Sequence, residues 1–115
     1  MTGVQTCALP IYHKLNVIFI IVNNGIYGTI RMHQERDYPE RVYGTAFTNP
    51  DFAALAIAYG AHGETVTETA QFAEALKRSV ASGKPAVIEV VIDSNAITTQ
   101  TTLDSLRAKA LKQRV

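Results

Sequence analysis

The sequence predicts an α/β domain built on an incomplete doubly wound parallel sheet, and three observations carry that expectation. Val17 to Val22 is an unbroken apolar run rich in β-branched side chains, the pattern of a parallel strand buried on both faces. Ala86 to Ile92 is a second strongly apolar run. Between the two lie amphipathic helical patterns, and strands alternating with helices at these lengths imply right-handed crossovers.

In chain order, residues 1–11 read Met-Thr-Gly-Val-Gln-Thr-Cys-Ala-Leu-Pro-Ile. They match the in-frame translation of a common sequencing-library adapter, with GTG read as the start codon, and are set aside from fold reasoning. Cys7 goes with them. The first apolar run then ends in Asn23, Asn24, Gly25 and, after Ile26 and Tyr27, Gly28. Open α/β sheets hold ligands at the carboxyl ends of their strands, where the two asparagines place amide oxygens. The glycines allow a sharp turn and a close approach of the backbone. Asn-Asn-Gly is equally an ordinary turn sequence, so local chemistry leaves turn and ligand site both open.

Tyr27 to about Arg36 reads as a helix with Tyr27, Ile30 and Gln34 near one face. Tyr27 is either a packed core residue with a bonded hydroxyl or part of the site. Gln34-Glu35-Arg36-Asp37 reads as a solvated face. Asp37 to Thr48, with Pro39 and Gly44, lacks periodicity and reads as a long surface loop, where binding residues often sit. Asn49 is a suitable cap for the next helix, with Pro50 at its first position and Asp51 complementing its dipole. Phe52, Leu55, Ala56 and Tyr59 would form its face, and Gly60 would stop it.

Residues 61–66 read as a short strand or an extended link. Thr69 would cap a further helix with Phe72, Ala73, Leu76 and Val80 as its buried stripe, ended by Gly83. After the strand at 86–92, Asp93 stops the run and 94–102 reads as polar and extended. Leu103 to about Gln113 reads as a basic helix with Leu103, Leu106 and Ala110 on one side. An incomplete parallel sheet would expose an apolar strand edge that invites association.

At 115 residues this is one domain or part of one. The apolar share of 47% implies a packed core, and a net charge of +1 favours neither nucleic acid nor an anionic membrane surface. No apolar stretch reaches the roughly 20 residues of a membrane helix. The amino end lacks the basic and apolar regions of a signal peptide, so a cytoplasmic location is the default. A lone cysteine supports no disulfide framework, and His13, His33 and His62 lack zinc-motif spacing. No Ser-His-Asp pattern or glycine-rich phosphate loop is evident.

The run from Val22 to Glu35, Val-Asn-Asn-Gly-Ile-Tyr-Gly-Thr-Ile-Arg-Met-His-Gln-Glu, resembles the second half of the thiamine-diphosphate signature of acetolactate-synthase-like enzymes. The resemblance extends from about Leu15 to about Leu106. It implies the second part of a diphosphate-binding domain, the thiamine-diphosphate-binding fold, over residues 12–102, with 103–115 as a helical tail. Tyr12, His13 and Lys14 would end the helix that joins the two halves of the signature. The cofactor-binding residues it implies are Asn24, Gly25, Ile26, Tyr27 and Gly28. Of these, the Asn24 side chain and the Ile26 main chain would be ligands of Mg²⁺, a cation that prefers oxygen donors. The family's third protein ligand, the Asp of an opening Gly-Asp-Gly, would fall before residue 1, and Mg²⁺ affinity should drop without it.

The resemblance implies no catalytic residue in this chain, because the family's activating Glu comes from another domain, usually on a partner subunit of a homo-oligomer. The pyruvate-decarboxylase branch carries a catalytic Glu six residues after the ligand Asn, where this chain has Ile30. The expected activity of the parent is decarboxylation and carboligation of small 2-oxo acids. Its alternatives are another 2-oxo-acid decarboxylase or an aldehyde lyase. From other classes, the alternatives are a non-catalytic flavodoxin-like binding module or a truncated reading frame without independent function. The last is the favoured reading of the literal chain.

Overall fold

The fold comes from a computed structural model, and the structure describes residues 9–113. Residues 1–8 of the adapter-like leader, Cys7 included, and the last two residues of the tail lie outside the described residues. The elements are strands β1 (Ile18–Asn23), β2 (His62–Val66) and β3 (Ala86–Val91), with helices α1 (Gly28–Asp37), α2 (Phe52–Ala58), α3 (Thr69–Ala81) and α4 (Leu103–Lys112). The described strands form one parallel sheet in the order β1-β3-β2, as the alternation of strands and helices predicts. The chain divides into two compact units, Met1–Asn23 with Asn49–Val91, and Asn24–Thr48 with Ile92–Val115. Each is built from two separate stretches of sequence.

The first unit holds the sheet. β3 is its centre, with Ala86, Val87, Ile88 and Glu89 all buried. Successive side chains alternate between faces. Val87 packs with Ala56, Ala61, Phe19, Ile21 and Phe52 on the α2 face, whereas Ile88 packs with Val66, Ala75, Ile18, Phe72 and Leu76 on the α3 face. Ile11, in the stretch set aside from the sequence reasoning, also packs on the α2-side cluster, from a helical turn at 9–12.

The expectation that the first apolar run is buried on both faces is corrected. β1 is an edge strand, and Ile20 and Val22 are 50% and 63% exposed. α3 packs over β2 and β3, which leaves the β1 end of that face open among the described residues. β3 is the strand with the doubly buried character.

The caps and faces of two helices also differ from expectation. Asp51, not Asn49, caps α2, its carboxylate accepting from the Ala54 amide at 2.8 Å. The α2 residues that bury are Ala53 and Ala56, while Leu55 and Tyr59 remain exposed. The reason lies in β2. At Gly63 the strand runs so close to the Ala53 carbonyl that only small helix residues fit between them. α3 begins behind Glu68 rather than Thr69, and Gln71 reaches back to accept from the Thr67 and Glu68 amides at 3.0 and 3.2 Å. Its buried residues are Ala75 and Ser79, with Phe72 and Leu76 half-buried, so the stripe is rotated away from Ala73 and Val80.

The second unit carries α1 and α4. The segment 94–102 is a closed turn rather than an extended strand: Ala96 bridges Thr102, and the Asn95 amide bonds Asp93 Oδ1 at 2.9 Å. Thr102 then caps α4 reciprocally with Ser105. Leu103 and Ala110 are buried, as their spacing predicts.

Candidate functional site

β1 delivers Asn23 and Asn24 at its carboxyl end, and the two side chains have different fates. Asn23 belongs to the first unit, where its Nδ2 donates to Glu89 Oε1 at 2.6 Å and its Oδ1 accepts from Asn49 Nδ2 at 2.7 Å. Asn49 is thus part of a polar chain ending on a buried carboxylate of the central strand, not a helix cap.

Asn24 opens the second unit. Its Oδ1 accepts from the Ile26 amide at 3.2 Å, a short Asx turn in which the carboxamide reaches forward to the residue two on. Gly25 has φ of +65°, the left-handed conformation the turn requires. The turn is held from outside by residues 45–47. Tyr27 N donates to the Thr45 carbonyl at 2.9 Å, Phe47 N donates to the Gly25 carbonyl at 3.1 Å, and Ile26 bridges Ala46. Gln34 fixes the other side of that loop, its Nε2 donating to the Tyr43 carbonyl at 2.8 Å.

The five residues singled out from sequence, Asn24, Gly25, Ile26, Tyr27 and Gly28, therefore form one continuous loop running into the start of α1. Gly28 is packed against it: a Cβ there would lie 3.2 Å from Asn24 Nδ2 and 3.5 Å from Ile97 Cδ1. The first turn of α1 has no side-chain cap and no acidic residue, so its amides suit an anion. Tyr27 is not a core residue. It is exposed, with its ring tilted against Phe47 at a centroid distance of 4.7 Å.

The donor set fits Mg²⁺ in part. The Asn24 carboxamide oxygen accepts one hydrogen bond, and the Ile26 carbonyl accepts one from Gly28 N at 3.0 Å. Each oxygen therefore retains a lone pair for a cation. Both are neutral, and among the described residues no three His, Cys, Asp or Glu gather as a metal site. A Mg²⁺ ion held here would need a carboxylate besides these two oxygens.

Gly28→Ala is expected to displace the Asn24 carboxamide while costing less than about 1 kcal/mol, because better helix propensity offsets the tight contact. The side-chain amide resonances of Asn24 should shift while the thermal midpoint barely changes. An unchanged Asn24 signal would show that the contact is slack.

Glu35 is the residue beside the site that sequence reasoning placed wrongly. It is 0% exposed rather than on a solvated face. Arg107 grips it with a fork, Nε to Oε2 at 2.8 Å and one terminal nitrogen to Oε1 at 2.6 Å, and Arg31 Nε adds a bond at 3.0 Å. These bonds, Arg107 foremost, hold its carboxyl at about 2 against the opposing effect of burial. The Arg31–Glu35 spacing of one helical turn was a legible signal; Arg107, 72 positions away, was not. His62 sits on a similar but half-exposed cluster, with Glu64 between it and Arg78. Among the described residues no helix is long and apolar enough to cross a membrane.

The sequence profile of the family described as thiamine pyrophosphate enzyme, C-terminal TPP binding domain, matches residues 1–90. Over 81 residues the chain is 36% identical to a probable acetolactate synthase of Mycobacterium bovis, covering 70% of this chain and 15% of that protein. Over 94 residues it is 33% identical to the acetolactate synthase isozyme 2 large subunit of Escherichia coli K12, covering 81% of this chain and 17% of that protein. Among solved structures, benzoylformate decarboxylase from Polynucleobacter necessarius has a similar fold. The TM-score is 0.68 and the identity 25%, over 80% of this chain and 17% of that one. The chain spans between 15% and 17% of the length of these relatives.

Proposed function

This chain belongs to the family of C-terminal TPP-binding domains of thiamine pyrophosphate enzymes, and on that premise we propose that it is the diphosphate-holding part of an acetolactate-synthase-like enzyme acting on 2-oxo acids. The observation that carries the reading is the Asn24–Gly28 loop, with the Asn24 carboxamide fixed in an Asx turn, a carbonyl lone pair left at Ile26 and an uncapped helix start packed directly behind them. Asn24 Oδ1 and the Ile26 carbonyl would bind Mg²⁺. The first amides of α1 would face the diphosphate oxygens, where the helix dipole favours negative charge.

Bound thiamine diphosphate supplies the electron sink that decarboxylation of a 2-oxo acid requires. The chain's own contribution is to bind and orient. The Asx turn fixes the carboxamide, Gly28 gives it room, and the loop at 45–47 braces the turn from the opposite side. The activating carboxylate and the remaining metal ligand would come from other parts of the parent assembly, a homo-oligomer. The 115-residue chain given thiamine diphosphate, Mg²⁺ and pyruvate is therefore expected to show no turnover, and any rate above background contradicts this division of labour.

The parent activity is tested by product analysis on the longer chain that contains this segment. Acetolactate from pyruvate supports the synthase reading. Acetaldehyde alone moves the assignment to a decarboxylase, an activity named for the solved structure of similar fold. No decarboxylation of any 2-oxo acid overturns both and leaves an aldehyde lyase or a non-catalytic binding module.

A further inference from the structure

α1 presents the candidate loop, yet it has almost nothing apolar with which to dock. Its one buried residue is Glu35, a charge. α4 contributes buried Leu103 and Ala110, and the two helices pack together within one unit. The polar grip is extensive. Arg107 and Arg31 both bond the Glu35 carboxylate, and the Glu40 amide adds a long bond to Oε2 at 3.4 Å. Glu40 holds φ of +64°, an uncommon conformation for a residue with a side chain. Arg107 is itself held by Asp104 Oδ1 at 2.9 Å, and Asp104 accepts from Asn95 Nδ2 at 3.0 Å. Two guanidinium groups face two carboxylates, so the cluster is neutral overall.

We propose that Glu35, gripped by Arg107, is a positioning residue that sets where α1 presents the Asn24–Gly28 loop. This rests on reading that loop as the cofactor site. The two ends of α1 are coupled through the helix itself: one residue before Glu35, Gln34 binds the loop whose Thr45 and Phe47 hold Tyr27 and Gly25. Loss of the Arg107 fork leaves a buried carboxylate under-compensated, and α1 must shift to hydrate it. The loop at the other end then loses its register with residues 45–47.

Amide hydrogen exchange on the full chain tests this. The reporters are Tyr27 and Phe47, bonded to the Thr45 and Gly25 carbonyls. The references are Leu103 in the same unit and Ala86 in the other, bonded to the Asn95 and Val17 carbonyls. Arg107→Ala should accelerate exchange at Tyr27 and Phe47 by about tenfold or more, with the references changing less than about twofold. Arg107→Lys keeps the charge but not the fork, so it retains the fold and should give a smaller change of about threefold at the same two amides. Equal acceleration at all four amides, or none at Tyr27 and Phe47, overturns the proposal, since a merely stabilising ion pair would give one of those patterns. Titration of the longer parent chain, which would supply the remaining metal ligand, with thiamine diphosphate and Mg²⁺ separates the two readings. A lack of binding there counts against the cofactor reading alone, while the exchange pattern still decides the clamp.

Discussion

Gly63→Ala is expected to cost at least about 3 kcal/mol and to leave most of the chain unfolded, a large fraction of what a domain of this size has to lose. The added methyl would drive into the carbonyl and Cα of Ala53, which are backbone atoms of α2 and cannot swing aside as a side chain would. α2 would have to lift off the sheet, and Ala53 and Ala56 are the residues it buries there. Substituting α2 residues cannot offer compensation, because the obstruction is the carbonyl itself. Gly83→Ala is the contrast. Its φ of +62° strains a side chain, but open space surrounds it, so a cost near 1 kcal/mol is expected. Urea denaturation of the two variants side by side is the measurement. A Gly63→Ala chain as stable as the Gly83→Ala chain would mean that α2 can relax away without loss.

Acid should weaken the fold through Glu35. Its folded pKa of about 2 lies below the ordinary value of 4.5, so the stabilisation is complete above about pH 4.5 and is lost as pH falls towards about 2. The shift corresponds to a contribution of up to about 3 kcal/mol. Glu64 is displaced the same way by Arg78 and His62, but Arg78 is more than half exposed, and solvent screening reduces its share. Urea midpoints at about pH 7 and about pH 2.5 should differ strongly for the unaltered chain. Glu35→Gln should already be destabilised at neutral pH, because two arginines are then left with Asp104 as the cluster's one carboxylate, and should lose much less on acidification. An acid dependence of full size in Glu35→Gln would place the titrating group elsewhere.

Much of the fold was legible because it depends on local chemistry. The two apolar runs, the glycine stops at 60 and 83 and the Leu103–Ala110 spacing all report on neighbours within a turn or two of chain. The Asn24–Gly28 loop was legible for the same reason: turn, oxygen donors and helix start are contiguous. What could not be read is set by partners distant in sequence. An apolar strand looks alike at the centre or the edge of a sheet, and only pairing shows that β3 has neighbours on both sides. The buried face of α2 depends on a glycine in β2. Glu35 sits in a run of polar residues, and nothing in that run tells that Arg107 will bury it.

That last pairing has a consequence in time. A ribosome adds about 5–20 residues per second. The 72 positions separating Glu35 from Arg107 therefore amount to a delay of about 4–14 s between the synthesis of the carboxylate and that of the guanidinium that covers it. Throughout that interval Arg31 is the one of its two guanidinium partners already made, and α1 lacks the fork that settles it. The three described strands and the two helices that cover them are synthesised before α4, so the loop that presents Asn24 would be among the last of these parts to set.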